Sequence, residues 1–436
     1  VKDGKHYRAL VFAALLAVVF APAGGAVEIA SSPTDTFSVR ARGAVADQKG
    51  DNAEAGRILP SLIVPAEASS DVTGTAQKAE EKKPEAIEPL SLGSLVTIDS
   101  GRNDANPKWS PCGTFVAFER IIGDKKEIHV VLPDGTPVQT IYHLLSAGGS
   151  ETKFFFPGLL DGTSYNAEMT WSPDETRFVY MSNGGEGKYD LYLQDLGAES
   201  AVRLTEDKEK DGQAHWSPVA DRVVFVSGRT GNGDVYVLDL KTHALTRMTW
   251  GDREYLYPRW SPDGTKIVVM HGSNENHDII LINDAAKPVE SRKALTTWPY
   301  DDLRPVWSPD GKKIAFYSNY NAAGDQKLWS LIVINADGSD PTEGNGLAAK
   351  VVASDIIPDV EVGPAWMPDS NRIVFVKNDR QEYNPLYIAD INQKTVVPIK
   401  TDTRMNHDIT ISAQGTVAFR AQINQWDQIF TMSLRN

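Results

Sequence analysis

From about residue 100 onward, one pattern of apolar and polar positions recurs. A short strand ends on an aromatic residue, a polar turn containing proline follows, and then comes a nearly unbroken apolar run. The copies are "NPKWSPCGTFVAFER", "EMTWSPDETRFVYMSN", "QAHWSPVADRVVFVSG", "YPRWSPDGTKIVVMHG", "RPVWSPDGKKIAFYSN", "GPAWMPDSNRIVFVKN" and a worn "DITISAQGTVAFRAQ". Their anchors are Trp109, Trp171, Trp216, Trp260, Trp307, Trp366 and Ile411, separated by 62, 45, 44, 47, 59 and 45 residues. A period near 45 residues fits one four-stranded propeller blade per copy.

Each copy predicts four strands. The first ends at the anchor, and Ser-Pro-Asp-Gly turns the chain, Pro presetting φ and Gly supplying a positive φ after it. The second strand, such as "KIVVM", is apolar throughout and therefore buried on both faces. The third is "DLYLQDL", "DVYVLDL", "DIILIND" or "PLYIADI", and the fourth is weaker and polar, ending in "RLTE", "RMTW" or "ALTTW". A blade cannot cover its own two apolar faces, so it needs neighbours, and each tryptophan reads as a wedge between blades. The last copy lacks a fourth strand, while "SLVTIDSG" at 94–101 resembles the fourth-strand ending of the others. The expected fold is therefore all-β: a seven-bladed propeller of four-stranded blades over 91–436, its last blade closed by Leu95–Ile98.

The N-terminal residues break this pattern. Lys2, Lys5 and Arg8 precede the apolar run "ALVFAALLAVVFA", then Pro22 and small residues, which together read as a secretory signal peptide over 1–26; an uncleaved anchor is the alternative. No second apolar stretch of spanning length follows, so no stable membrane insertion is expected after cleavage. Residues 27–90 are rich in Ala, Glu, Lys, Ser, Pro and Gly and read as a flexible, low-complexity linker. Within it, "RILPSLIVP" is an apolar exception that either docks or orders transiently.

The net charge of −14 lacks the basic footprint of a nucleic-acid binder and favours a cationic peptide, a metal ion or a basic protein patch, unless it serves solubility alone. Cys112 is the single cysteine, so stability comes from packing without an intramolecular disulfide. It occupies a turn position where other copies carry Asp, and reads as an incidental exposed thiol.

The tandem W-S-P-D-G copies, followed by an Ile-Ala-Phe strand, resemble the TolB-type propeller repeat over residues 94–436. The resemblance implies a periplasmic or secreted propeller with a protein partner; the loops of varying length on one face are where binding is expected, and a monomer is expected. The resemblance also implies that the repeat occurs in peptidase accessory domains and in polysaccharide lyases. This chain departs from the family pattern by carrying seven motifs rather than six blades, and by having no α/β domain ahead of them.

Candidate chemistry sits at the channel mouth. Five residues before the anchors stand Asp104, Asn166, Asp211, Tyr255, Asp302, Glu361 and Asn406; three before stand Asn106, Glu168, Gln213, Tyr257, Arg304, Gly363 and Asp408. Because the anchor strand is innermost, these positions converge. Asp104, Glu168, Asp211, Tyr257, Asp302, Arg304, Glu361, His407 and Asp408 are the ligand-binding candidates. An oxygen-rich ring of this kind suits a basic ligand or a hard cation such as Ca²⁺, though no cofactor is required. The competing reading is that Asp or Asn here caps its own turn. The 143–165 insert, with "KFFFPGLLDG", is either a lid or an exposed contact. No G-x-S-x-G elbow or H-E-x-x-H helix is present. "DKEKDG" at 207–212 opens like a calcium loop, but its twelfth position is Pro218. A non-catalytic, protein- or peptide-binding propeller is the expectation; a metal-assisted polysaccharide lyase or hydrolase, with His215 or His407 beside Arg304 and Asp408 in the funnel, is the alternative.

Overall fold

In the computed structural model, the residues described are 85–89, 91–94, 103–122, 125–144, 168–182, 189–198, 200–273, 276–320, 329–339, 350–359, 362–377, 383–423 and 425–434, all within the compact unit Ala79–Asn436. The signal-peptide and most of the linker assignments, and residues 145–165 of the long insert, lie outside them. The described residues form seven four-stranded antiparallel sheets arranged as a seven-bladed propeller.

The first strand of each blade is innermost: Asn103–Trp109, Thr170–Trp171, Asp211–Trp216, Glu254–Trp260, Asp302–Trp307, Ala365–Trp366 and Arg404–Ile411. We number the blades 1 to 7 in that order. The second strands are the apolar runs, and they are buried as their patterning requires: Val223, Val224 and Phe225 in blade 3 and Ile314, Ala315 and Phe316 in blade 5 have no exposed surface. The core lies between blades rather than within them. Trp307 of blade 5, for instance, packs with Val268, Ile279 and Leu281 of blade 4. That is the wedge role expected of the repeated tryptophan.

The turns follow the repeated Ser-Pro-Asp-Gly. Ser261 Oγ bonds to the Asp263 carboxylate at 2.5 Å, the Gly264 amide donates to the Ser261 carbonyl at 2.9 Å, and Gly264 has φ +67°. Blades 2 and 6 make the same turn with Glu175 and Ser370 in the left-handed region.

Blade 7 takes its outer strand from the start of the described chain. Ser91–Ser94 pairs antiparallel with Trp426–Ser433, Ser91 opposite Ser433 and Ser94 opposite Phe430. This edge is thus occupied by residues just ahead of Leu95–Ile98, which lie outside the described residues. Blades 7 and 1 also meet directly: the Asp427 amide donates to Asn103 Oδ1 at 3.2 Å, and Gln414 Nε2 to the Cys112 carbonyl at 2.7 Å.

Candidate functional site

In a propeller each innermost strand is a sheet edge facing the channel, so its backbone groups have no strand partner there. The sequence solves this from blade to blade. Trp171, Trp307 and Trp366 donate Nε1–H to the carbonyls of Lys108, Arg259 and Val306 in the preceding blade, at 3.2–3.3 Å. Each of these carbonyls belongs to the residue just before an anchor tryptophan. Side chains at that same position also serve as acceptors. Thr170 Oγ1 takes the Trp216 amide at 2.9 Å, and His215 Nδ1 takes the Trp260 amide at 3.3 Å.

The position three before the anchor is a β-bulge. Asn106, Gln213, Tyr257, Arg304 and Asp408 have φ between 51° and 56°, and Gly363 fills the same role at φ +86°. The ladder register shifts at this point in blades 1, 3, 4, 5 and 7. A bulge re-aims the side chain out of the normal alternation. Here it aims toward the next blade or the channel. Gln213 Oε1 accepts the Tyr257 amide at 2.7 Å, and Asp408 Oδ2 accepts the Asn106 amide at 3.1 Å across the blade 7–blade 1 junction.

The candidate residues divide accordingly. Arg304 of blade 5 stacks on the Tyr257 ring of blade 4, 3.3 Å from its centroid, and its Nη1 stands 3.6 Å from Glu168 Oε1 of blade 2. These three residues meet at the ring axis, since blades 2 and 5 are not neighbours. Asp408 is buried, bound to the Asn106 amide and paired with Arg420 Nε at 2.8 Å. His407 lies beside it against Asn384 of blade 6, and burial together with Arg420 lowers its pKa.

The residues five before the anchor turn into their own blades. Asp104 is fully buried and receives Nε–H and Nη2–H of Arg120 at 2.6 and 2.7 Å. Asp211 is fully buried against Arg229, yet burial outweighs its hydrogen bonds and raises its pKa to about 6. Asp302 accepts Trp298 Nε1–H at 2.5 Å, and burial pushes its pKa up to about 8, so it is mostly neutral at pH 7. In these contacts the carboxylates meet the side chains of Arg120, Arg229 and Trp298, and not the amides of their own turns as the capping reading expects. Glu361 lies outside the described residues.

Sequence reading passed over Lys108 and Arg259. Both precede an anchor, and both line the channel. Lys108 is partly solvent-accessible from the lumen but enclosed by the ring, and its pKa falls to about 8, first from burial and then from Arg259. The same causes hold His215 well below its usual value, so it is neutral. The signal was available: in "PKW" and "PRW" a cation stands where "MTW" and "AHW" carry an acceptor. His271 and His277 have their own partners, His271 stacked on Tyr255 at 4.1 Å and His277 Nδ1 2.6 Å from Asp301. Among the described residues, no group of three or more His, Cys, Asp or Glu is placed to hold a metal ion.

Residues 161–346 match a family model described as the TolB beta propeller domain. No curated protein matches the chain. Among solved structures, TolB from Acinetobacter baumannii is 21% identical, with a TM-score of 0.45 over 71% of this chain and 66% of that one. The chain therefore spans just under two thirds of that protein's length. An oligogalacturonate lyase from Vibrio parahaemolyticus is 14% identical, with a TM-score of 0.56 over 81% of this chain and 96% of that one. A puromycin-hydrolyzing peptidase from Mycobacterium tuberculosis is 11% identical, with a TM-score of 0.56 over 77% of this chain and 52% of that one. Likeness at these identities concerns the fold.

Proposed function

Because this chain is a TolB-like β-propeller protein, we propose that it is an exported, periplasmic scaffold that binds a protein or peptide partner at the loop-bearing mouth of its channel. The observation that carries this reading is the meeting of Glu168, Tyr257 and Arg304 from three different blades on the ring axis. An aromatic ring, a guanidinium and a carboxylate held on a rigid scaffold suit recognition of a polar segment of polypeptide. The lyase or hydrolase alternative would call on His215 or His407, and both are already engaged, His215 Nδ1 by the Trp260 amide and His407 against Asn384. Among the described residues no helix is long and apolar enough to cross a membrane.

The test is a cross-linking capture from envelope extract with the wild-type protein and with Arg304→Glu and Tyr257→Ala, each checked for folding by its melting curve. A partner captured by the wild type and lost with both variants is the expected result. Capture that ignores both substitutions would remove the channel mouth from the binding surface. Fractionation of expressing cells tests the compartment, and a protein found with cytoplasmic markers would overturn export.

A further inference from the structure

The arginines of this protein that serve the fold are neutralised where they stand. Arg120 is bound to Asp104, Arg203 to Asp190, Arg229 to Asp211, Arg247 to Asp234 and Arg420 to Asp408, all within 3.1 Å. The channel differs. Among the described residues no carboxylate lies within ion-pairing distance of Lys108 or Arg259, and the hydrogen bond of the Arg259 side chain goes to the Pro258 carbonyl at 3.2 Å. Neither can perform the acceptor role that Thr170 and His215 perform from the same position, since ammonium and guanidinium groups only donate. Two cations thus line the channel without an ion-pair partner among the described residues, Arg259 donating only to the carbonyl beside it.

The surrounding groups point the same way. Lys108 of blade 1 senses Arg259 of blade 4, Arg304 of blade 5, Glu168 of blade 2 and Asp359 of blade 6, an assortment that only the ring axis brings together. His215 accepts the Trp260 amide through Nδ1, so its neutral ring carries the proton on Nε2 and presents a further donor. Asp359 is committed to the amides of Val362 and Ile409 at 3.1 and 3.3 Å. Glu168 and Asp359 stand among the three cations, and Glu119 lines the same cavity as Lys108 and Glu168, so the channel mixes both signs in a protein of net charge −14. The carboxylates already present oppose a dianion such as phosphate about twice as strongly as a monoanion, so a monoanion is the better fit.

We propose that Lys108, His215 and Arg259, with Arg304 at the mouth, form a carboxylate-binding site, and that the peptide entering the channel places an acidic group there. The proposal rests on the peptide-binding reading above and reverses the sign of ligand that the overall charge suggests. The acid is either the terminal α-carboxylate of the peptide or an Asp or Glu side chain, which share the chemistry recognised.

The experiment is calorimetric titration of the full-length protein at pH 7 with four probes: Ac-Ala-Ala-Ala-OH, Ac-Ala-Glu-Ala-NH₂, the neutral Ac-Ala-Gln-Ala-NH₂, and inorganic phosphate. Binding of at least one acidic peptide, at least tenfold tighter than the neutral one, is expected, and the acidic peptide that wins names the source. Lys108→Met and Arg259→Met should each weaken that binding at least tenfold; their melting curves exclude misfolding. Acidic peptides that bind no better than the neutral one, or phosphate that binds more tightly than either, would overturn the site. Repeating the envelope capture with the double variant separates the two readings. A partner retained equally by wild type and K108M/R259M removes the carboxylate site and leaves partner binding intact. Acidic peptides bound by a protein that captures nothing support the site and remove the protein partner.

Discussion

At the residue scale, two ionisable groups give pH signatures that both decline as pH rises, one on stability and one on binding. Asp302 is buried with its pKa raised from 3.8 to about 8. The folded state therefore holds a proton that the unfolded chain releases, so this group's contribution falls as pH rises from about 4 to about 8. An asparagine at this position would keep an oxygen for Trp298 Nε1–H without that dependence. Asp302→Asn should melt higher than wild type at pH 8, with the gap widening by up to about 1.4 kcal/mol per pH unit from pH 5; a gap independent of pH would mean that Asp302 is ionised in the fold. Lys108 acts on binding rather than on stability. It faces Arg259, Glu168, Arg304, Asp359 and His215, and it loses its charge near pH 8. Affinity for the acidic peptide should drop between pH 7 and 9, and Lys108→Arg should flatten that profile, whereas identical profiles for the two would show that Lys108 makes no contact. The sequence sent the positions five and three before each anchor to the channel alike, and could not tell which carboxylates are spent inside the blade. Asp104 and Asp302 look alike in register, yet one meets Arg120 and the other Trp298. Those partners lie elsewhere in the blade, at positions the spacing of the anchors does not index.

At the element scale, the repeat unit was legible because every copy solves the same two problems, covering the apolar faces of the second strand and satisfying the exposed edge of the first. The tryptophan does both. Its ring fills the gap between blades, and in blades 2, 5 and 6 its Nε1–H caps the carbonyl of the preceding blade. The two roles can be separated. Trp307→Phe keeps most of the wedge and should cost about 1 kcal/mol for the lost bond to the Arg259 carbonyl. Trp307→Ala should cost about 3–5 kcal/mol through the cavity. Urea unfolding distinguishes them, and equal losses would mean that packing contributes nothing beyond the hydrogen bond. The bulges were not legible, although their positions were. Asn, Gln, Tyr, Arg, Gly and Asp share no propensity that marks a left-handed residue within a strand. Gly363 alone carries a hint, since a Cβ there would lie 3.1 Å from the Arg304 carbonyl as well as in a φ that L-residues avoid.

At the scale of the whole molecule, a ring differs from an open solenoid in having no terminal repeat, so its weakest point is where the two ends of the chain meet. Two sets of backbone contacts join the early segment to the late blades, beside the ion pair of Glu88 with Lys400. Ser91–Ser94 covers the outer edge of Trp426–Ser433, and Ile87 bridges to the outer strand of blade 6, its amide donating to the Pro398 carbonyl at 2.7 Å and its carbonyl accepting the Lys400 amide at 3.0 Å. One short stretch therefore fastens blades 6 and 7 together, and it does so across the whole of the intervening ring. The loop-closure entropy of so long a separation grows only logarithmically, so a few strand pairs suffice to offset it. Without that segment, the strand carrying Phe430 and Met432 becomes an unpaired edge, able to pair with a second copy. A variant beginning at residue 95 should melt several degrees lower than the full-length protein and aggregate on warming in proportion to its concentration. Replacing Ile87 alone by Asp should lower the melting temperature less and leave the protein monomeric, because the blade 7 edge stays covered. Light scattering during thermal unfolding reads both effects. If the truncated protein stays monomeric with an unchanged melting temperature, the contacts between innermost strands hold the ring shut by themselves, and the early strand is dispensable.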